Sequence, residues 1–129
     1  MDLMNGLTLA YIGDAYYELC IRMHLTLNHK LTRVDDLHKK AITYTSAVAQ
    51  GQVIEQLINA GLIEPHEIEI YKRGRNVSGP GRRNVDAKTY HMATGFECLI
   101  GELYLNDKKR CDEIIHLAIN YIEKANYLI

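Results

Sequence analysis

The sequence predicts an all-α protein, built as a compact bundle of about six helices. Apolar residues make up 47% of the 129 residues and charged residues 24%, which is enough to pack a core within one domain spanning residues 1–129. The chain contains only 2 prolines, and turn signals rarely interrupt its long apolar runs. That pattern favours helices over many short strands.

The first two helices are expected from apolar residues at helical spacing. The first runs from about Leu3 to Leu25, and its inward stripe is predicted to be Leu3, Leu7, Ala10, Tyr11, Tyr17 and Ile21. Thr32 is a good N-cap for the second, with Asp35 three residues further on. This helix breaks near Thr45–Ser46, and the residues predicted to point inward are Val34, Leu37, Ala41 and Ile42.

Capping and stop signals predict the remaining four helices. Ser46 caps the third, Gly61 ends it, and its inward residues are Val53, Ile54 and Leu57. Proline suits the first position of a helix and aspartate the cap position. The expected bounds of the later helices are therefore Pro65 to about Arg73, an Asp86 cap to about Leu105, and an Asn106 or Asp107 cap to about Asn126.

Several features of the sequence argue against particular kinds of site and against a membrane or secreted protein. Cys20, Cys98 and Cys111 form no CxxC pair, so buried reduced thiols are expected rather than a disulfide framework or a zinc site. The 6 histidines show no HExxH pattern, and no histidine-ligated metal site is expected. No apolar run approaches the roughly 20 residues of a membrane span, and no signal peptide precedes the domain, so we expect a cytosolic protein.

The net charge is only -1, but the segment 70–85 carries five cations and no acid. Its residues from Gly74 to Gly81 form the only Gly/Pro-rich stretch and are predicted to be a flexible loop. Such a loop suits phosphate contact, with Gly74, Gly79 and Gly81 allowing close approach of the backbone. A solvated surface loop without a ligand is the alternative.

Two acids lie in the middle of helices, beside glycine and among large apolar residues: Asp14 and Glu97. A glycine within a helix costs about 1 kcal/mol relative to alanine, and it is tolerated where helices approach closely. We expect the two helices to cross at glycines, so that Asp14 and Glu97 meet and bind Mg²⁺, or Mn²⁺ as a substitute. The alternative is that each carboxylate pairs with a Lys or Arg, or caps a backbone group.

The segments around these acids resemble the two signature motifs of the ribonuclease III family. The first is Leu9-Ala10-Tyr11-Ile12-Gly13-Asp14-Ala15-Tyr16-Tyr17-Glu18-Leu19, and the second is Phe96-Glu97-Cys98-Leu99-Ile100-Gly101. Segments 36–40, 72–76 and 86–90 are similar to those of the Mini-ribonuclease III branch, a dimeric catalytic domain without the appended double-stranded-RNA-binding domain. Two further acids of the longer family members are replaced here by Ala10 and Thr94, as is usual in this branch.

The resemblance implies a ribonuclease III-like endonuclease domain that forms a two-fold dimer and cuts double-stranded RNA, leaving 5′-phosphate ends. Asp14 and Glu97 are the implied catalytic and Mg²⁺-binding residues. The expected RNA-binding residues are His38, Lys39, Lys72, Arg73, Arg75, Asn76, Arg82 and Arg83, with supporting roles for Glu18, Thr89 and Tyr90. The implied substrate is precursor 23S ribosomal RNA, with a large-subunit ribosomal protein as a possible helper. A catalytically inactive RNA-binding module and a helical protein-interaction domain are the alternatives.

Overall fold

The computed structural model describes residues 4–77 and 86–127, except for the side chains of residues 126 and 127. All regular structure within these ranges is helical. The six helices are α1 (Gly6–Leu27), α2 (Val34–Thr45), α3 (Ala47–Asn59), α4 (Pro65–Val77), α5 (Ala87–Asn106) and α6 (Lys108–Tyr127). The predicted all-α class and helix order are confirmed.

Helix α5 is the central element of the bundle. It packs against α1, α3, α4 and α6, and most residues in its middle are buried, with Phe96, Leu99 and Ile100 fully so. Tyr17 of α1 meets Phe96 edge to face, with ring centroids 5.2 Å apart, and its hydroxyl donates to the Tyr44 carbonyl at 3.1 Å. The core is therefore built around α5, with a tyrosine linking it to α1 and α2.

The predicted helix caps at Ser46 and Asp86 are confirmed by hydrogen bonds. The Ala49 N–H donates to Ser46 Oγ at 3.2 Å, and the Thr89 N–H donates to Asp86 Oδ1 at 2.9 Å. The predicted Thr32 cap is wrong, because α2 begins at Val34 with Arg33 at the cap position and no side-chain hydrogen bond there. Helix α1 begins at Gly6, capped by Asn5, and the predicted start at Leu3 lies outside the described residues.

The predicted inward faces of α1 and α2 are partly wrong. Leu7 is 46% exposed, Tyr11 81%, Val34 66% and Ile42 60%. Ala10, Tyr17 and Ile21 are buried as predicted, and α1 also turns Leu9 and Leu25 inward. The physical reason is that the two smallest residues of this helix, Gly6 and Gly13, must face α4 and α5 for the backbones to make contact, and this sets the rotation of the helix.

Helix α4 is longer than predicted, since it continues from Arg73 to Val77. The residues predicted to start a flexible loop are therefore helical, and Gly74 is buried. A Cβ at position 74 would overlap the Cys98 side chain, so this glycine serves the packing of α4 on α5 rather than approach to a phosphate. The rest of the predicted loop, including Gly79 and Gly81, lies outside the described residues.

All three cysteines are free thiols, as predicted. Cys98 and Cys111 are buried, and Cys20 is half-buried. Burial raises the pKa of Cys98 to about 11, so this thiol is protonated at neutral pH. None of the described helices combines the length and apolarity that crossing a membrane requires. The cytosolic location stays a prediction.

Candidate active site

Helices α1 and α5 cross with their backbones in direct contact. A Cβ at Gly13 would overlap the carbonyl oxygen of Glu97, and a Cβ at Gly101 would overlap the carbonyl oxygen of Leu9. The predicted crossing at glycines is therefore present. Of the two glycines flanking Glu97, Gly101 faces α1, whereas Gly95 faces the Tyr71 ring of α4.

Asp14 and Glu97 both lie at this crossing, because Asp14 directly follows the glycine that touches the Glu97 backbone. Asp14 is exposed and Glu97 is half-buried. Within the described residues, no ion pair engages Asp14, so no neighbouring cation neutralises it there. Asp14 and Glu97 thus belong to two helices whose backbones touch at Gly13 and Glu97.

The positions that carry further acids in longer family members hold small, buried side chains here. Ala10 and Thr94 are each 6% exposed, and the Thr94 hydroxyl donates to the Tyr90 carbonyl at 3.0 Å. Glu18, one turn beyond Asp14, accepts a hydrogen bond from Arg22 Nε at 3.2 Å. Glu18 is therefore the remaining described carboxylate within one turn of Asp14 on α1, and it is already engaged by an arginine.

Four of the predicted RNA-binding residues lie in the C-terminal half of α4. Lys72 is exposed, and its ammonium lies 3.8 Å from Glu69. The Arg75 guanidinium lies 5.5 Å from the centre of the Tyr71 ring, and its Nε donates to Asn76 Oδ1 at 3.3 Å. Arg73 is half-buried. Arg82 and Arg83 lie outside the described residues.

This half of α4 packs against the beginning of α1. A Cβ at Gly6 would lie 3.0 Å from Gly74 Cα and 3.2 Å from the Arg73 carbonyl oxygen. Gly6 precedes Asp14 by about two helical turns. The basic end of α4 is consequently close to the N-terminal turns of the helix that carries Asp14.

An open groove of about 890 Å³ runs between α3, α4 and α5. Arg75 and Asn76 line one side of it, and Lys88 and His91 of α5 line another. Lys88 and His91 were not among the residues predicted from the sequence. Their spacing of three residues, which places both on one helix face, was the signal that could have found them.

The other predicted site residues do not line this groove. His38 and Lys39 are exposed on α2, which packs mainly on α1 and α3, and His38 lines a separate groove with Glu18. The Thr89 hydroxyl donates to Asp86 Oδ2 at 2.8 Å and so takes part in the cap of α5. Tyr90 is half-buried, with its ring centroid 5.9 Å from that of His91.

Comparison with known proteins places the chain in a family. The Ribonuclease III domain family matches residues 7–108. A Mini-ribonuclease 3 of Acholeplasma laidlawii is 41% identical over 124 residues, covering 96% of this chain and 98% of the relative. A Mini-ribonuclease 3 of Clostridium tetani is 44% identical over 125 residues, covering 95% of this chain and 82% of the relative.

A crystal structure of a protein from Fusobacterium nucleatum has a similar fold. Its TM-score is 0.77 at 28% sequence identity, with 90% of this chain and 92% of that chain covered. The family match, the relatives and the shared fold agree with the two glycine-flanked acids at the α1–α5 crossing. The chain belongs to the ribonuclease III family, in its Mini-ribonuclease III branch, and is an endoribonuclease.

Proposed function

We propose that this endoribonuclease hydrolyses double-stranded RNA with Mg²⁺ bound by Asp14 and Glu97, and that Mn²⁺ can substitute. The observation that supports the proposal is the backbone contact between Gly13 and Glu97, with Asp14 next to Gly13 in α1. The donor set fits the ion, since Mg²⁺ binds one or two carboxylates and keeps several waters. When bound, such an ion activates water and stabilises charge on the phosphate.

The chain's own contribution is to hold the two carboxylates in place. Gly13 lets α1 lie directly on the Glu97 backbone, so the separation of the two helices is set by backbone contact rather than by flexible side chains. The exposure of Asp14 leaves its carboxylate accessible to solvent and substrate. Glu18 is the supporting acid, one turn further along α1.

Removal of either acid tests the site. We expect Asp14→Asn and Glu97→Gln each to lower cleavage of long double-stranded RNA by at least about 100-fold, since several kcal/mol of transition-state stabilisation is lost. Product sizing on gels with and without Mg²⁺ measures the effect. Circular dichroism and duplex binding are expected to match the unmodified protein.

Asp35→Asn, which alters an exposed acid at the start of α2, is the matched control and is expected to cleave normally. Full cleavage by Asp14→Asn or by Glu97→Gln contradicts the proposed site. Cleavage that proceeds unchanged in excess EDTA contradicts the metal requirement.

The proposed RNA surface combines the basic end of α4 with α2. Double-stranded RNA is recognised mainly through phosphates and 2′-hydroxyls, for which the residues of α4 and the following segment are suited: Lys72, Arg73, Arg75, Asn76, Arg82 and Arg83. His38 and Lys39 form a second contact group on α2, and Thr89 and Tyr90 support the first. Proximity of the α4 group to the N-terminal turns of α1 supports this assignment.

The salt dependence of duplex binding tests the α4 group. Each phosphate contact that is lost removes close to one unit from the slope of log affinity against log salt. We therefore expect Lys72→Gln with Arg75→Gln to flatten the slope by roughly two units. The pair Lys109→Gln with Lys124→Gln on α6 is the control with the same charge change. Equal slopes for the two double variants would exclude α4 from the RNA surface.

We further propose that the active form is a homodimer, because one site cuts one strand and a two-fold pair of sites matches the two strands of the duplex. The substrate proposed for the cell is precursor 23S ribosomal RNA, in the cytoplasm, with a large-subunit ribosomal protein as a possible helper. These assignments rest on the resemblance to the Mini-ribonuclease III branch. Residues 1–129 are proposed to act as one catalytic domain.

A further inference from the structure

Three side chains with metal-binding chemistry converge at the end of α1, away from the α1–α5 crossing. They are His24 in the last turn of α1, His29 just after it, and Glu123 near the end of α6. One ligand atom of each lies within 4.8 Å of the others. Glu123 is 94 residues from His29 along the chain, so no local spacing motif could reveal this cluster.

Both imidazoles form a hydrogen bond with the same carboxylate oxygen of Glu123. His24 Nε2 lies 2.7 Å and His29 Nε2 2.8 Å from Glu123 Oε2. A carboxylate only accepts, so in this arrangement each Nε2 carries a proton and donates it. A cation bound by all three side chains would replace these two protons and lie between the imidazole nitrogens and the carboxylate oxygen.

A buried tyrosine of the core fixes the orientation of the Glu123 carboxylate. The Tyr44 hydroxyl donates to Glu123 Oε2 at 2.8 Å, and Tyr44 is only 1% exposed. Glu123 therefore accepts hydrogen bonds from His24, His29 and Tyr44, which hold its carboxylate in position. Tyr44 is the outer partner that ligating carboxylates usually have.

We propose that His24, His29 and Glu123 form a binding site for a divalent transition metal of the Zn²⁺ class, which clamps the end of α1 to α6. Two imidazoles and one carboxylate are a known three-ligand set for zinc, with a fourth position left for water. Mg²⁺ prefers oxygen ligands and does not suit two imidazoles. This site is distinct from the Asp14–Glu97 site in both position and metal preference.

Binding requires only small local adjustments. In a tetrahedral zinc site, ligand atoms about 2.0 Å from the ion lie about 3.3 Å from one another, so each imidazole moves about 0.5 Å away from Glu123. His24 and His29 each shift the ring proton from Nε2 to Nδ1, which frees both Nε2 lone pairs for the ion. Asn28, whose side-chain nitrogen lies 2.9 Å from His24 Nδ1, then turns its amide so that the oxygen accepts.

Calorimetric titration of the tag-free, EDTA-treated protein with ZnCl₂ in excess Mg²⁺ tests the proposal. We expect one Zn²⁺ per chain, and a Tm raised by roughly 10 °C at a zinc concentration about 100 times the Kd. Titration with Co²⁺ gives visible absorption bands of a low-coordinate site. His29→Ala and Glu123→Gln are each expected to weaken Zn²⁺ binding at least about tenfold.

Two control variants and one variant of the outer partner Tyr44 show whether Zn²⁺ binds at this cluster or elsewhere. His66→Ala removes an exposed histidine on α4, and Asp14→Asn alters the crossing; both are expected to bind Zn²⁺ as the unmodified protein does. Tyr44→Phe keeps the buried ring but loses the hydroxyl, and is expected to weaken binding about tenfold. His29 lies outside the helix and its side chain is 39% exposed, so its replacement leaves the core intact.

The proposal is overturned if no binding is detected up to about 1 mM Zn²⁺. It is also overturned if His29→Ala and Glu123→Gln bind as tightly as the unmodified protein, or if Asp14→Asn abolishes binding. In the first case the cluster is a hydrogen-bond network alone. In the last case the zinc occupies the crossing.

Discussion

The carboxylate of Glu67 is buried, at 1% exposure, and two nitrogens of Arg110 bind it at 2.8 and 2.9 Å. The Glu64 N–H donates to the same carboxylate at 2.8 Å, which completes the cap of α4. Arg110 also donates to the Leu62 carbonyl at 2.8 Å. One arginine of α6 thereby satisfies a buried acid at the start of α4 and joins two helices that are distant in the chain.

Breaking this pair is expected to destabilise the protein strongly. Arg110→Met keeps an apolar stem but leaves Glu67 buried without a cation, which costs about 3–5 kcal/mol of unfolding free energy. Urea denaturation at pH 7 measures the loss. Lys109→Met, an exposed neighbour on α6, is the control and is expected to change stability by less than about 0.5 kcal/mol. A loss below 1 kcal/mol for Arg110→Met, on the order of an exposed pair, contradicts this assignment.

The same pair predicts how stability depends on pH. Burial raises the pKa of Glu67, but the bonds from Arg110 and the Glu64 N–H outweigh it, so the pKa is lowered in the folded protein. The stabilisation is therefore present above the unfolded pKa of about 4.3 and is lost as pH falls towards the folded value. Urea midpoints measured from pH 6 to pH 3 are expected to fall, and Arg110→Met is expected to remove part of that fall.

At the scale of the helices, close contacts at glycine join α1, α4 and α5. Gly13 and Gly101 serve the α1–α5 contact, while Gly74 and Gly95 serve the α4–α5 contact. At Gly13 and Gly101 the atoms in the way belong to backbone carbonyls, which cannot rotate aside as a side chain can. The geometry that places Asp14 beside Glu97 therefore depends on a missing Cβ.

Gly13→Ala is expected to separate the two helices. The added Cβ overlaps the Glu97 carbonyl, so we expect a loss of about 3 kcal/mol or more of unfolding free energy and a parallel loss of RNA cleavage. Gly51→Ala is the matched control within α3, because its Cβ would meet Met92 Cβ at 3.6 Å, an ordinary contact. Helix propensity then favours alanine by up to about 1 kcal/mol. Thermal and urea unfolding measure the stability of both variants. If Gly13→Ala is as stable as Gly51→Ala, α1 can shift away from α5 at no cost in free energy, and the prediction is wrong.

At the scale of the whole molecule, the main feature is an exposed apolar stripe along α1. Leu7 is 46% exposed, Tyr11 81% and Leu19 51%, and Ala15 lies between the last two. Asp14 adjoins this stripe at the same level of the helix. An apolar stripe of this kind marks an interaction surface, and it supports the proposed homodimer, in which two copies of α1 bring two sites together.

Charge placed on this stripe is expected to disrupt the dimer. Leu7→Lys with Tyr11→Lys should weaken self-association at least about 30-fold, the effect of losing central apolar contacts worth about 2 kcal/mol or more. Light scattering across a dilution series measures it. Val48→Lys on α3, at a site 53% exposed, tests added charge elsewhere and is expected to leave the dimer intact. A monomeric unmodified protein, or a double variant that dimerises normally, rules out this interface.

Local signals in the sequence were enough to predict six helices and to single out Asp14 and Glu97. Ser46, Pro65 and Asp86 marked helix starts correctly, because capping acts through hydrogen bonds within one helical turn and is visible at short spacing. The motifs around Asp14 and Glu97 likewise lie within single helices. The all-α class and the family follow from such patterns alone.

Only the tertiary structure decided which faces point inward and which distant residues meet. Tyr11 and Leu7 are apolar at helical spacing yet exposed, because contact through Gly6 and Gly13 sets the rotation of α1. The Glu67–Arg110 pair and the cluster around Glu123 join residues on different helices. Spacing cannot predict such contacts, since their energy depends on distances through space that exist only after the helices have packed.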